Sequence, residues 1–449
     1  MLEYRDRHST LLAIALAVAT VAYLGWKVSE SPEQALQFAF NGASVGAVYA
    51  LLAMGFTLVY STVWFFDLYY GAAAAIGAYG VFYLRSQEAL GGQYEVNHPS
   101  LNVAFGVVAA GVLWWALHTR YHRELSRRYG DRAVTVATGA LSAAAGVYTA
   151  ALLTFPTELE VLLSPVLGVA VALVVVWAVR RGYRGTLGTI APVPVVAVAA
   201  LIGAGAGGYV ALVVADAAGA RLYLSWGVSC LLAGAVGLAL YRGLYMYMLE
   251  RARSPLIMLV ATLGVLLALT AATTIAFEAA PRPLPDAFGT EPWTIGGATI
   301  KGFNVFAIAM AFVGFAGLWL LLRRTAFGKA VRAVGDDEEV SKVVGINTTV
   351  IIAAVFFIGA VYAAFAGILS GHDTAIQPRM GLLLLLKGWI ASVVGGIGNL
   401  YGAIVGGFVL GMIEQFGIWD LAGEWRDVVS FVVLILFLSF WPKGLLPRS

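Results

Sequence analysis

Long apolar stretches recur along the chain at 11–26, 38–60, 62–84, 101–118, 133–153, 161–179, 190–215, 222–243, 256–277, 302–322, 350–371, 382–395, 400–417 and 428–441. A helix needs about 20 mostly apolar residues to cross a bilayer. The pattern predicts an all-α polytopic membrane protein with about 12–14 membrane segments. The runs on either side of Gly395-Gly396-Ile397-Gly398-Asn399 are short for ordinary spans. They read as two crossings or as one broken, re-entrant element near 395–399, and either returns the chain to the side it left.

Composition narrows the function. Of 449 residues, 60% are apolar and 12% charged, with a mean hydropathy of +0.84, against about 25% charged in soluble chains. One integral-membrane domain uses nearly all of the length, leaving little for a water-exposed catalytic or nucleotide-binding module. No G-x-x-x-x-G-K-[ST] and no H-E-x-x-H occurs in the sequence. The single cysteine, Cys230, lies in an apolar run and excludes an intrachain disulfide or a cysteine metal site. Five histidines scattered mostly in loops do not supply the clustered groups of a membrane-embedded enzyme.

Charge position predicts direction. With the N-terminus inside, twenty of the 28 Lys and Arg fall in cytoplasmic stretches, seven fall outside and Lys387 lies within a span. Cytoplasmic loops collect Lys and Arg, so both termini are expected inside. The 11–26 segment reads as a retained anchor, because no convincing A-x-A cleavage site follows it.

Small residues open the second run as Asn41-Gly42-Ala43-Ser44-Val45-Gly46-Ala47-Val48-Tyr49-Ala50-Leu51. Such residues let helices approach closely in lipid. The string also resembles the N-G-x-x-x-G-x-x-Y-A-L opening of permease subunits of ATP-binding-cassette importers for branched-chain amino acids. Three further blocks follow in that family's order: Gly71 to Gly77-Ala78-Tyr79, Arg332-Ala333 to Gly345-Ile346-Asn347, and Lys387 to Gly395-Gly396-Ile397-Gly398 and Glu414. The resemblance covers 38–84 and 222–449. It implies a permease core in two parts, 38–84 and 222–449, behind an anchor at 1–37. Residues 85–221 then read as an inserted unit of about four helices, an even number that preserves downstream topology.

The polar stretch 323–349 falls on the predicted cytoplasmic side. Asp336 and Glu339 have capping-box spacing and Gly345 is a helix stop, so a short helix is predicted over 337–344. Val340, Val343 and Val344 give it a small apolar stripe. Two readings stand: an amphipathic helix on the membrane surface, or, by resemblance, the coupling helix that fits a groove on an ATPase subunit. Gly328, Arg332, Ala333, Asp337, Glu339, Gly345 and Ile346 match the family's loop, and Ser341 replaces its usual alanine.

Ionisable groups at membrane depth face a cavity or a partner. Asp67, Lys387 and Glu414 qualify. Lys387 either snorkels to an interface or pairs with Glu414 across the glycine break. By resemblance Asp67 replaces a neutral polar residue and Tyr70 a histidine. Asp67 then either favours a substrate with a cationic or amide-donor group or sits at the cytoplasmic interface beside Ser61. Together with Asn41, Gly42, Tyr49, Lys387 and Glu414 it forms the candidate substrate pathway. His372 and Asp373 on the outer face, and the proline-rich segment 278–301, are expected to meet solvent or an extracytoplasmic binding protein.

The resemblance implies an amino-acid permease of the cytoplasmic membrane working by alternating access. It carries no catalytic residue, metal or cofactor of its own, and ATP is used by separate ATPase subunits. Its other partners would be a second permease subunit, a substrate-binding protein and the lipid bilayer, with no nucleic acid. A urea or short-amide permease and a motor-independent channel or secondary carrier are the alternatives.

Overall fold

The computed structural model describes residues 22–23, 25–91, 96–186, 192–217, 219–249, 251, 255–285, 292–441 and 444–446. Most of the anchor expected at 11–26 lies outside them, as do Pro442 and Lys443.

The chain is helical. In order come α1 (Pro32–Val63), α2 (Tyr69–Leu84), α3 (Pro99–Tyr129), α4 (Asp131–Thr154), α5 (Leu159–Thr186), α6 (Pro192–Asp216), α7 (Ala220–Leu240) and α8 (Pro255–Phe277). A two-stranded hairpin follows, β1 (Trp293–Ile295) and β2 (Ala298–Ile300). Then come α9 (Gly302–Arg324), α10 (Ala326–Asp336), α11 (Glu338–Val343), α12 (Thr348–Asp373), α13 (Met380–Gly395), α14 (Leu400–Gly417) and α15 (Arg426–Phe440). Ten helices among the described residues are long and apolar enough to cross a membrane. The runs at 62–84, 382–395 and 428–441 became α2, α13 and α15, of 16, 16 and 15 residues. At 1.5 Å per residue such helices reach about 24 Å, short of a hydrocarbon core of about 30 Å. The hairpin arises within the proline-rich stretch because Gly296 and Gly297 take φ of 58° and 82°, as a tight two-residue turn requires.

The chain divides into two compact units, Met1–Phe82 with Ser229–Ser449, and Tyr83–Val228. In the second, α3 packs on α4 and α5 on α6 as helical hairpins. A Cβ on Gly106 would lie 2.7 Å from the Gly146 carbonyl oxygen, and one on Gly168 2.7 Å from that of Gly207.

In the first unit α1 is central, with α9, α12, α13 and α14 packed against it. Proline is tolerated at its start, where the N–H has no partner in the helix, and Trp64 ends it at φ 55°. Gly42 and Gly46 oppose Gly411 and Phe408 of α14, running antiparallel; a Cβ on Gly411 would stand 2.5 Å from the Cα of Gly46. Only backbone-to-backbone contact fits there, which is how small residues replace the missing hydrophobic drive between helices in lipid.

The break anticipated near 395–399 is a tight turn between two antiparallel helices. Gly396 and Gly398 adopt φ of 114° and 86°, and Asn399 caps α14 through the Tyr401 N–H at 3.0 Å. The C-terminal segment closes the open end of α13. Leu445 and Leu446 donate their N–H groups to the carbonyls of Val394 and Gly395 at 2.9 and 2.8 Å, partnering groups that a helix end leaves free.

Candidate functional site

Three of the six pathway candidates converge. Lys387 on α13 and Glu414 on α14 form an ion pair inside the bundle, at 6% and 0% exposure. Tyr49 on α1 donates its hydroxyl to the second Glu414 oxygen at 2.7 Å. Two residues outside the candidate set complete the group. Ser430 on α15 donates to Glu414 and accepts from Lys387 at 2.8 Å, and Asp427 pairs with Lys387 at 2.9 Å. The Lys387 ammonium also stands 5.7 Å from the Tyr49 ring centre. Lys387 therefore does not snorkel to an interface; its charge is matched within the bundle. A buried charge is tolerated only with such partners; α1, α13 and α14 each contribute one member of the cluster and α15 two. Ser430 and Asp427 lie in the string Asp427-Val428-Val429-Ser430-Phe431, and their spacing of three places both on one helix face.

The other candidates sit elsewhere. Asn41 accepts from Gln37 at 3.1 Å, and Gln37 pairs with the backbone of Thr299 on β2 through 2.8 and 2.9 Å bonds. Gly42 is part of the α1–α14 crossing. Asp67, 1% exposed, lies in the turn between α1 and α2. One of its oxygens accepts from the Tyr69 N–H and the Tyr245 hydroxyl, both at 3.0 Å; the other has no hydrogen-bond partner among the described residues. Tyr70 donates to the Gly55 carbonyl at 2.7 Å and so ties α2 to α1.

A cavity of about 90 Å³ opens beside the ion-pair cluster, with Tyr49 as their shared wall. Asp373, at the end of α12, and Arg426, at the start of α15, both line it. Asp373, expected to face solvent or a partner, is exposed and also lines this partly open space. Ser44 lines it too, within Gly42-Ala43-Ser44-Val45-Gly46, which matches the G-x-S-x-G pattern of a nucleophile elbow in sequence. It is no nucleophile elbow, because that needs a sharp strand-to-helix turn and Ser44 lies inside α1. Among the described residues no three His, Cys, Asp or Glu stand where they could hold a metal.

At the opposite end of α1 lies the polar stretch 323–349, which forms two helices rather than one. Thr325 caps α10 through the Gly328 N–H at 3.1 Å. Gly328 packs against Leu322, and Arg332 donates to the Leu322 carbonyl at 2.5 Å. The second cap is Asp337, not Asp336: its carboxylate accepts the Val340 N–H at 3.0 Å, one residue later than capping-box spacing suggests. Asp336 closes α10, so α11 starts at Glu338. Gly345, at φ 86°, ends the turn and leads through Ile346 into α12. Val340, Val343 and Val344 are exposed, at 58%, 87% and 69%. Hydrogen bonds from Lys342 to Glu339 and Glu338 hold its ammonium above the ordinary lysine pKa. The base of this element is anchored: Trp64 donates its indole N–H to the Gly335 carbonyl at 2.8 Å, and Gly335 packs on Ser61.

The sequence family described as the permease component of branched-chain amino acid transport systems matches residues 189–438. The match begins inside the segment that reads as an insertion. The permease protein BraD of a high-affinity branched-chain amino acid transport system, from Pseudomonas aeruginosa, is 38% identical over 172 residues, 38% of this chain and 56% of that protein. The permease protein LivH of the corresponding Escherichia coli system is 34% identical over 229 residues, 48% of this chain and 74% of that protein. A probable LivH of Methanocaldococcus jannaschii is 27% identical over 249 residues, covering 53% and 79%. No solved structure matches the chain. The chain belongs to the family of permease components of branched-chain amino acid transport systems.

Proposed function

We propose that this chain is the membrane-spanning subunit of an importer that carries branched-chain amino acids across the cytoplasmic membrane, powered by separate ATPase subunits. The observation that carries the reading is the anchored coupling element. The exposed Val340, Val343 and Val344 of α11 form an apolar peg of the kind an ATPase groove would accept. Its base is tied through Gly335 and Trp64 to the end of α1. α1 in turn carries Tyr49 into the Lys387–Glu414 cluster. A push on the peg therefore reaches the polar interior through one continuous helix, a route by which closure of a motor can drive alternating access. A second permease subunit and an extracytoplasmic binding protein complete the assembly in this reading, and residues 85–221 are an insertion that leaves the core's topology intact.

The test is to isolate the tagged chain from its native membrane and identify what accompanies it, for the wild type and for Gly345→Pro and Glu339→Arg variants. Recovery of a P-loop ATPase with the wild type and its loss from the variants are expected. Wild type that brings down no ATPase while vesicles accumulate leucine without ATP would overturn the reading in favour of a carrier.

A further inference from the structure

The cavity beside Tyr49 holds two opposite charges that do not meet. Among the described residues neither Asp373 nor Arg426 makes an ion pair, and the Arg426 Nε is buried without a hydrogen-bond partner. The charges of Lys301 and Arg426 act on the Asp373 carboxylate from beyond ion-pair reach. A guanidinium and a carboxylate facing one small space, yet apart, match a ligand carrying the same two charges in reverse order. Ser44 and Ser370 also line the cavity and add polar groups, while Val45, Val48 and Leu384 supply an apolar wall.

We propose that this cavity is a subsite for the zwitterionic head of an amino acid, with Asp373 receiving the ammonium and Arg426 the carboxylate. The inference rests on the importer reading above and adds to it that the permease itself checks for both charges of the substrate. The volume of about 90 Å³ is well below the roughly 300–1,000 Å³ of complete ligand pockets. It suits the head group alone and leaves the side chain at the opening, so the subsite reads what all amino acids share rather than the branching that distinguishes them. Its position also has a consequence. Arg426 precedes Asp427, the partner of Lys387, and Tyr49 separates the cavity from Glu414. A carboxylate drawn to Arg426 therefore acts next to the ion-pair cluster that joins α1, α13, α14 and α15.

The experiment is saturation-transfer NMR on the full chain in lipid nanodiscs with three ligands: leucine, leucinamide, which lacks the carboxylate, and 4-methylpentanoate, which lacks the ammonium. A hydrogen bond to a charged group is worth about 1.5–3 kcal/mol, so each missing charge is expected to weaken binding about tenfold or more. Arg426→Gln should cost leucine about tenfold and leave leucinamide unchanged. Asp373→Asn should do the same to leucine while leaving 4-methylpentanoate unchanged. Equal weakening of all three ligands in both variants would mean a structural role and overturn the proposal, as would wild type that does not distinguish them or does not bind leucine. ATP-dependent leucine uptake by native-membrane vesicles, which hold the wild-type chain together with its partner subunits, is measured in parallel. Uptake that persists at wild-type KM in both variants sinks the subsite alone, whereas no ATP-dependent uptake by wild type sinks the importer reading.

Discussion

The helices α1 and α3 are comparably apolar and both long enough to span a membrane, yet the central window of α1 is 89% buried and that of α3 only 11%. Enclosed helices occur in the first unit, where α1, α12 and α14 are 50–89% buried, although its α8 and α9 are only 17% buried. In Tyr83–Val228 the spanning helices are 11–28% buried, each packed mainly along one stripe against a single hairpin partner. In the other unit α1 is enclosed by α9, α12, α13 and α14. Lipid solvates leucine as well as protein does, so apolarity places a helix in the membrane without saying what it touches. Both units bring helices together through glycines; what differs is how many helices enclose one and where paired charges lie. α1 meets α14 through glycines over two turns and reaches the Lys387–Glu414 cluster, whereas the Arg221–Glu160 ion pair of the second unit is partly exposed.

The largest effect should come from filling the α1–α14 contact. Gly407→Val forces a side chain into the backbone of Ala50 and is expected to cost about 3 kcal/mol or more, read as loss of the monodisperse protein in detergent. Gly139→Val in α4, where nothing lies within 4 Å, should leave the elution profile and melting temperature unchanged; equal damage from both would erase the contrast between the units.

Next in size is Glu414→Gln. It leaves Lys387 with only half-exposed Asp427 as a charge partner and should destabilise by about 3 kcal/mol in thermal or denaturant unfolding. Replacing the pair together, as Lys387→Met with Glu414→Leu, should recover much of that loss, because an apolar pair carries no desolvation cost. Arg221→Gln in the second unit, a 27% exposed ion pair, should cost under about 1 kcal/mol.

Asp337→Ala removes the cap of α11 and is expected to cost about 1 kcal/mol locally. Faster amide exchange at Val340 with an unchanged melting temperature would report it, and protection identical to wild type would show that the cap contributes nothing.

The smallest effect is expected from the largest deletion. Gly80 and Ser229 approach each other within the first unit, so a short Gly/Ser linker replacing 86–218 should leave that unit folded with the Lys387–Glu414 cluster intact. A chain that no longer extracts as a monodisperse protein would show that the two units depend on each other.

Much of this was readable in advance. The ten spans lie where apolar runs lie, the glycine break near 395–399 is a turn, and Lys387 pairs with Glu414 because isolated charges cannot stay unpaired at that depth. The cap at Asp337 was missed because two adjacent acids offer nearly the same spacing, and only the end of α10 at Asp336 selects between them. The cavity was missed for a different reason. Asp373 ends one helix and Arg426 begins another, with a whole helical hairpin between them in the chain, and Ser44 sits mid-helix in a string of small residues.

The sequence by itself determined that this chain enters a membrane, roughly where it crosses, which family it belongs to and which charges need partners. Each of these follows from the transfer free energy of a local segment or from a local motif. Only the tertiary structure decided that α1 is enclosed while α3 is not, that Tyr49, Asp427 and Ser430 complete the Lys387–Glu414 cluster, and that Asp373 shares a cavity with Arg426. Those outcomes depend on which helices meet, and helices meet in lipid through shape and polar pairing between residues far apart in the chain, which no single segment encodes.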